Sequence, residues 1–442
     1  MSLESTTNND NFLSNIDVII IGAGPVGAFT AAKLSEAGIN VAVFERNKRD
    51  NIRAELGYIH FDVHMYNKLG LPSPTTESEI RAGTFEQMWQ IPLNETKKFA
   101  IPYPTDILRM SGFAKWIIDF AEKSNNVKFF FEKAFESPIV EGIQIIGVNI
   151  ATLGKVYGKI IIDCTGRFGV VRNSLPQTCG LPPLQTRPQR MFTVYMEEWD
   201  CPTGFPLGSN TYVCYKGFAN QVAPTCTLVG ASTLMGLEST KAMFKRLVNY
   251  HLNDITYETK SVFHSEVPFD FSPSSLVSDG FVTIGDSAFQ NKPFSGEGMA
   301  SGMEAALIAV PVIIKAIQTQ KYSKEQLWAY NVNYFRTIGA DFALIRGAGE
   351  TLIEFTPEEF NWMYDAGFLS TKDMMDTWMN YRVKKSPMSL IITFFKGMKN
   401  LGIFKRILKG LLLGAKLRAL YRKYPLSAQE LARWENKVHK LL

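Results

Sequence analysis

Histidine and cysteine are scarce in this 442-residue chain, with five of each. The cysteines, Cys164, Cys179, Cys201, Cys214 and Cys226, form no C-x-x-C pair. That argues against a disulfide frame or metal site and for reduced thiols in a cytoplasmic protein. His60 and His64 are four residues apart and could face one metal from a helix. No third ligand accompanies them, so a helix surface or pocket lining is their expected role, and no metal is expected. Long apolar runs are missing as well: none reaches bilayer-spanning length, so no integral membrane segment is expected. The polar stretch from Ser2 to Asn11 has no basic n-region, and the run at Val18 is only strand-length, so no signal peptide is expected. Acids are missing from one region. Between Lys384 and Gln429 there are 11 Lys or Arg and no Asp or Glu. The net charge of +5 therefore joins a basic tail to a body near −6, with 36 bases against 42 acids. Such a tail suits an anionic partner surface. No nucleic-acid-binding fold accompanies it, so nucleic acid is not an expected partner.

What is present is concentrated between Asp17 and Glu45, in DVIIIGAGPVGAFTAAKLSEAGINVAVFE. Val18 to Ile21 have the β-branched character of a buried parallel strand. Gly22, Gly24 and Gly27 follow at G-x-G-x-x-G spacing and lead into a helical apolar period through Phe29, Ala32 and Leu34. Gly38 ends that helix, and Val41 to Phe44 make a second strand that finishes on Glu45. Gly22 allows the tight turn, Gly24 lets backbone approach a pyrophosphate, and Gly27 lets helix and strand pack closely. The helix N-terminus, beginning at Pro25 and Val26, offers N–H groups to phosphates. Glu45 would accept hydrogen bonds from ribose hydroxyls, with Arg46 beside it. The whole unit predicts dinucleotide binding.

Two later motifs select FAD over NAD. Lys159 to Asp163 form an apolar strand running into DCTGRFGVVRNSL, whose Thr165–Gly166 turn would close over the adenosine side. Phe281 to Ile284 form another strand, followed by GDSAFQNKPFSGEGMASGMEAA from Gly285. Asp286 would accept from ribityl hydroxyls. Pro293, Gly296 and Gly298 would bring N–H groups to the pyrimidine side of the flavin, where a helix starts near Met299 and stabilises negative charge.

These three motifs, in this order and separation, resemble the FAD-dependent oxidoreductase superfamily related to p-hydroxybenzoate hydroxylase. Arg53, in IRAELGYIHFDVHMYNKLGL, resembles that group's arginine after the second strand. Arg109, in ILRMSGFAKWI, resembles the arginine that heads a helix touching the cofactor phosphates. Within the superfamily, LWAYNVNYFRTIGADF, EEFNWMYDAGFLSTKDM and above all KLRALYRKYPLSAQELARWENKVHKLL resemble the archaeal geranylgeranyl reductases. That resemblance implies an enzyme that uses reduced FAD to saturate isoprenoid double bonds of membrane lipids or prenylquinones. NADPH or a ferredoxin would supply electrons, although no second dinucleotide motif follows a strand. Two departures stand out. Leu56–Gly57 occupies the position where these reductases often carry Cys-Gly. Their aromatic substrate motif is not apparent, and the nearest stretch is TYVCYKGFANQ. The fragment MWQIPL resembles part of a flavin-dependent halogenase signature, but Gln87 replaces its first Trp and it precedes Arg109, so it reads as coincidence.

The expected fold is α/β. A glutathione-reductase-type FAD domain (16–75, 105–180 and 275–345) carries an inserted antiparallel-sheet substrate domain (76–104 and 181–274) and a helical C-terminal domain (346–442). The alternation from Val194 to Ser232 predicts the antiparallel strands. In the tail, Phe404, Ile407, Leu408, Leu411 and Ala415 share one helical side and Lys405, Lys409 and Lys416 another, with Arg418 intruding on the first. A basic amphipathic helix of this kind either lies on an anionic bilayer or packs on its own domain. The expected location is cytoplasmic or peripheral on the inner face of the membrane. An aromatic monooxygenase using the same flavin, and a non-catalytic electron-transfer flavoprotein, are the alternatives. The residue that protonates the substrate has no candidate in the sequence.

Overall fold

The computed structural model describes residues 12–53, 57–74, 79–94, 98–184, 187–205, 210–214, 216–234, 239–368, 370–381 and 395–442. Val18–Ile21 is buried along its whole length and lies inside a six-stranded sheet. β-Branched side chains fill both faces of such a strand, as a parallel sheet covered on two sides requires. Its parallel neighbours are Val41–Phe44 and Ile160–Asp163, with Val18 opposite Val41 and Ile160. Val127–Phe130 and Phe281–Thr283 extend the parallel set outward, and the short strand Val277–Ser278 closes one edge antiparallel. The strand ends therefore gather the Gly22 loop, Glu45, the Thr165 turn and Gly285 on one side of the sheet.

Helix Pro25–Ser35 packs Ala28, Phe29, Ala31, Ala32 and Leu34 into the main core. Against it lies helix Met299–Thr319. This helix corrects one expectation: it is long and apolar enough to cross a bilayer, although 72% of its apolar window is buried inside the protein. Ser301, Glu304 and Pro311 break the apolar run as read along the chain. By its packing it is a core helix.

An eight-stranded sheet forms the second layer. Its order is Glu258–Pro268, Met191–Asp200, Cys226–Leu234, Gly217–Ala223, Asn210–Cys214, Arg81–Gln90, Phe99–Arg109 and Tyr58–Asp62. The strands expected from Val194 to Ser232 are there, but Asn210–Cys214 pairs in parallel with Arg81–Gln90, so the sheet is mixed. Segment 16–75 contributes Tyr58–Asp62 to this sheet, and Phe99–Arg109 crosses from segment 76–104 into 105–180. A separate antiparallel sheet, Phe135–Glu141, Gln144–Ile150 and Gly154–Tyr157, covers the other face of the parallel strands through Ile145, Val148 and Ile150.

Helices make up the described C-terminal region. Leu401–Tyr421 packs along Ile338–Leu352 and buries Ile403, Ile407, Gly410, Gly414, Leu417 and Tyr421. The contact side is thus not the one expected: Ile407 is buried, Phe404 and Leu411 are half-buried, and Leu408 and Ala415 are exposed. Glycine is the reason. A Cβ on Gly414 would sit 2.2 Å from the Leu344 carbonyl oxygen, and one on Gly347 would sit 2.8 Å from the Gly414 Cα. Backbone meets backbone along this seam, which hydropathy alone does not reveal. Arg418, which intruded on the expected apolar side, pairs with Asp341 at 2.6 Å.

Candidate active site

The three glycines of the first loop have different surroundings. Gly22 has φ +103° and its Cβ would meet the Cys164 carbonyl oxygen at 2.5 Å; a Cβ on Gly27 would sit 2.0 Å from the Gly22 carbonyl oxygen. Both are fixed by internal packing. A Cβ on Gly24 would meet nothing within 4 Å, so no contact among the described residues requires glycine there. Gly24 is also the N-cap of helix Pro25–Ser35 and offers no side-chain cap, with Pro25 at the first turn. The first N–H groups of that helix have no side-chain cap, an arrangement that suits an anion. Val26 supports the loop from below, where it meets the Cα side of Gly285 and Gly302.

Glu45 is 8% exposed, and its carboxylate accepts from the N–H of Ala23 (3.0 Å) and of Asn47 (2.9 Å). The acid at the end of the second strand therefore braces the glycine loop directly. Arg46 is exposed next to it. On the adjacent strand end, Thr165 donates through its N–H and Oγ1 to the Asp163 carboxylate (2.9 and 2.6 Å), and Arg172 N–H donates to the other oxygen (2.9 Å). Burial raises the Asp163 pKa, and these donors oppose the shift. Gly166 has φ +77° and open space at its Cβ position.

Asp286 follows the Phe281–Thr283 strand. Its Oδ1 is enclosed and has no hydrogen-bond partner among the described residues. A Cβ on Gly298 would sit 2.1 Å from that oxygen, so only glycine allows the approach. Burial raises the Asp286 pKa, while the Arg53 and Arg167 charges lower it. Arg53, held at φ 57°, is thus brought within electrostatic reach of Asp286. Pro293 is buried, Gly296 has φ +76°, and Gly298 caps the helix that begins at Met299 without a side-chain cap. Arg109 caps helix Met110–Ala121 and lines an open cavity of about 520 Å³ with Asp50, Glu79, Ser111, Gly112 and Lys115. The glycine loop does not contribute to that cavity.

Between the turn and the second sheet lies a cluster that motif reading missed. Lys292, 1% exposed, donates to Asp62 (2.5 Å) and to Glu297 (2.9 Å). The two carboxylates hold the lysine pKa well above its ordinary value against the cost of burial, and Lys292 holds Asp62 below the usual carboxylate range. Tyr103 bonds Asp62 from the sheet side. Beyond, Tyr381 donates to Glu304 (2.8 Å), which also pairs with Lys68. The sequence signal was two opposite charges inside the otherwise small-residue turn NKPFSGEG. His60 lies on strand Tyr58–Asp62 and His64 in helix Val63–Leu69, so the expected shared helix is corrected. No cluster of potential metal ligands occurs among the described residues. Leu56 lies outside the described residues; Gly57 has φ +61° and faces the Phe263 ring.

Residues 17–68 match the model of an FAD-dependent oxidoreductase family. Along 96% of its length the chain is 21% identical to the digeranylgeranylglycerophospholipid reductase of Sulfolobus acidocaldarius, of which 97% is covered. The fold matches that of a geranylgeranyl bacteriochlorophyll reductase-like protein from Thermoplasma acidophilum, with a TM-score of 0.72 and 14% identity over 89% of this chain and 98% of that one. It also matches flavin-dependent brominase Bmp2 (TM-score 0.62, 16% identity, 96% and 98% coverage). Along nearly its whole length the chain is similar to geranylgeranyl reductase-like FAD-dependent oxidoreductases.

The residues of this site fit FAD. The open Gly24 approach and uncapped helix suit a pyrophosphate, and Glu45 at a strand end suits a ribose. The partnerless Asp286 oxygen suits a hydroxyl-bearing chain, and the Gly296–Gly298 turn offers N–H groups. When bound, reduced FAD supplies a hydride to the substrate.

Proposed function

We propose that the enzyme saturates isoprenoid double bonds of a membrane lipid or prenylquinone. The observation that carries this is the resemblance, along nearly the whole of both chains, to a reductase whose name specifies a digeranylgeranylglycerophospholipid. The surroundings of the turn agree. On the large sheet Tyr58 packs against Phe263, and the His60 ring meets Phe85 and Phe218. An isolated alkene accepts hydride poorly, so an apolar, water-poor chamber with one well-held acid is what the chemistry asks of the protein. TYVCYKGFANQ supplies part of that lining through Phe218. In this reading Gly22, Gly24, Pro25, Val26, Gly27, Glu45, Arg46, Arg53, Arg109, Thr165, Gly166, Gly285, Asp286, Pro293, Gly296, Gly298 and Met299 form the cofactor site. NADPH or a ferredoxin acts as electron donor.

A long lipid substrate requires access to a bilayer, and the tail suits that need. On helix Leu401–Tyr421 the side opposite the glycine seam exposes Leu401 (55%), Leu408 (43%) and Leu412 (52%) beside exposed Lys405, Lys409 and Lys416. Leucines for the acyl boundary and lysines for anionic headgroups support peripheral attachment to the inner membrane face.

The test is an anaerobic single turnover. The bound flavin is photoreduced, a geranylgeranylated phospholipid or prenylquinone is added, and flavin reoxidation is followed with mass analysis of the lipid. Two hydrogens gained per double bond is the expected result. A flavin that stays reduced until oxygen is admitted would overturn it and favour a monooxygenase.

A further inference from the structure

We propose that His60 is the proton donor of this enzyme, charged with its proton by the buried Glu297–Lys292–Asp62 network when the flavin is reduced. The identity of the proton acceptor rests on the isoprenoid reading above; the network itself does not. Glu297 stands between Gly296 and Gly298, and Lys292 directly precedes Pro293, so the network is built into the turn that suits the flavin ring. The His60 ring is 3.9 Å from Glu297 through Nδ1. Its Nε2 is 2.5 Å from the Asn220 amide nitrogen, and the Oδ1 of that same fully buried amide has no partner among the described residues. Turning the amide over, which preserves its shape, brings the orphaned acceptor against Nε2. Both ring nitrogens then face acceptors. The imidazolium, with two N–H groups, suits the turned amide, whereas a neutral ring protonated at Nδ1 suits the amide as placed, its Nε2 accepting from the Asn220 NH2.

The charge balance explains when the proton arrives. Lys292 is flanked by Asp62 and Glu297, which leaves one net negative charge buried beside the turn. Tyr103 bonds the same Asp62, and the more distant Lys68–Glu304 pair is neutral in sum. Burial lowers the His60 pKa and outweighs the pull of Glu297 and Asp62, so the resting ring is neutral near pH 7. An electron pair added to a flavin in the same low-dielectric region adds a second negative charge. Protonation of His60 cancels the first. The ring, with a quarter of its side chain open, is held edge-on between Phe85 and Phe218, the aromatic lining assigned to the substrate. The step balances. A hydride leaves the reduced flavin for one alkene carbon, the π pair takes the His60 proton at the other, the flavin is oxidised and the ring returns to neutrality. Glu297, Lys292, Asp62 and Asn220 are positioning residues.

The experiment counts protons. FAD-loaded full-length enzyme is photoreduced anaerobically in weakly buffered solution containing a pH indicator, with no lipid present. Wild type is expected to take up one proton beyond that taken by the flavin itself. His60→Gln and Glu297→Gln lose the extra proton at unchanged FAD content, and Glu297→Asp restores it. Asn220→Leu, which removes the acceptor at Nε2 and leaves the ring intact, also diminishes the uptake and serves where His60→Gln fails to load FAD. Equal proton counts in wild type and all these variants would overturn the network. Because no lipid is used, that count stands apart from the isoprenoid reading. In single turnover with a prenyl lipid, His60→Gln is expected to slow lipid reduction by about 100-fold or more, the low end of general-acid contributions. An undiminished rate would remove His60 as donor.

Discussion

Gly24 and Gly27 lie three residues apart, at the N-cap and in the first turn of one helix, yet the structure gives them separate reasons to be glycine. Gly27→Ala forces a Cβ to within 2.0 Å of a backbone oxygen, so the fold itself is expected to suffer; thermal melting of the apoprotein reads this out. Gly24→Ala meets open space, so apoprotein melting should be unchanged while FAD affinity falls. Glu45→Ala removes a carboxylate that accepts from Ala23 and Asn47 and is proposed to contact the ribose. Loss of a charged hydrogen-bond partner costs about 1.5–3 kcal/mol, which is roughly 10- to 150-fold in FAD affinity by fluorescence titration. Full flavin retention in that variant would refute the ribose contact. The buried His60 also makes a stability prediction. Burial depresses its pKa below the ordinary value of about 6.5, so the unfolded chain binds the proton more readily than the folded one. Stability is therefore lost as pH falls below about 6.5, and His60→Gln should flatten that loss in denaturant titrations.

Helix Leu401–Tyr421 has two working faces, and they are expected to respond differently. Gly414→Val drives a side chain into the Leu344 carbonyl and should destabilise the protein by about 1–3 kcal/mol or more, read as a lower melting temperature. Leu408→Asp with Leu412→Asp alters only the exposed face. Melting should stay within about 0.5 kcal/mol of wild type, while cosedimentation with anionic vesicles drops sharply. Unchanged vesicle binding would remove the membrane-facing role. The sequence showed this helix, its length and its basic character, but it selected the wrong contact side. Apolar periodicity ranks glycine as uninformative, and here Gly410 and Gly414 define the closest packing in the region.

At the scale of the whole molecule, two layers meet at the turn from Lys292 to Gly298. The parallel sheet delivers the glycine loop, Glu45, Thr165 and Asp286 from strand ends that are far apart in sequence. The large sheet brings His60, Phe85 and Phe218 down on the other side. A cofactor that binds only the assembled site stabilises it by mass action. At 100 times its Kd, FAD should raise stability by about 2.7 kcal/mol, and the melting temperature should climb with FAD concentration. The membrane attachment proposed for the tail should weaken with salt, because the Debye length falls from about 10 Å at 0.1 M to about 3 Å at 1 M ionic strength.

Local chemistry was enough for the sequence to determine the α/β class, the strand–glycine–helix–strand unit from Val18 to Phe44, the strands at Ile160–Asp163 and Phe281–Thr283, and the FAD preference. Each of these depends on residues within a short window, where β-branching, glycine spacing and a terminal acid act directly on backbone and cofactor. Only the tertiary structure decided what depends on partners distant in the chain. It separated His60 from His64 and recast Met299–Thr319 as a core helix. It turned the tail helix onto its glycine seam and set Lys292 between Asp62, 230 residues away, and Glu297. A buried ion network has no local signature, because each charge in it is tolerable only through neighbours that folding supplies.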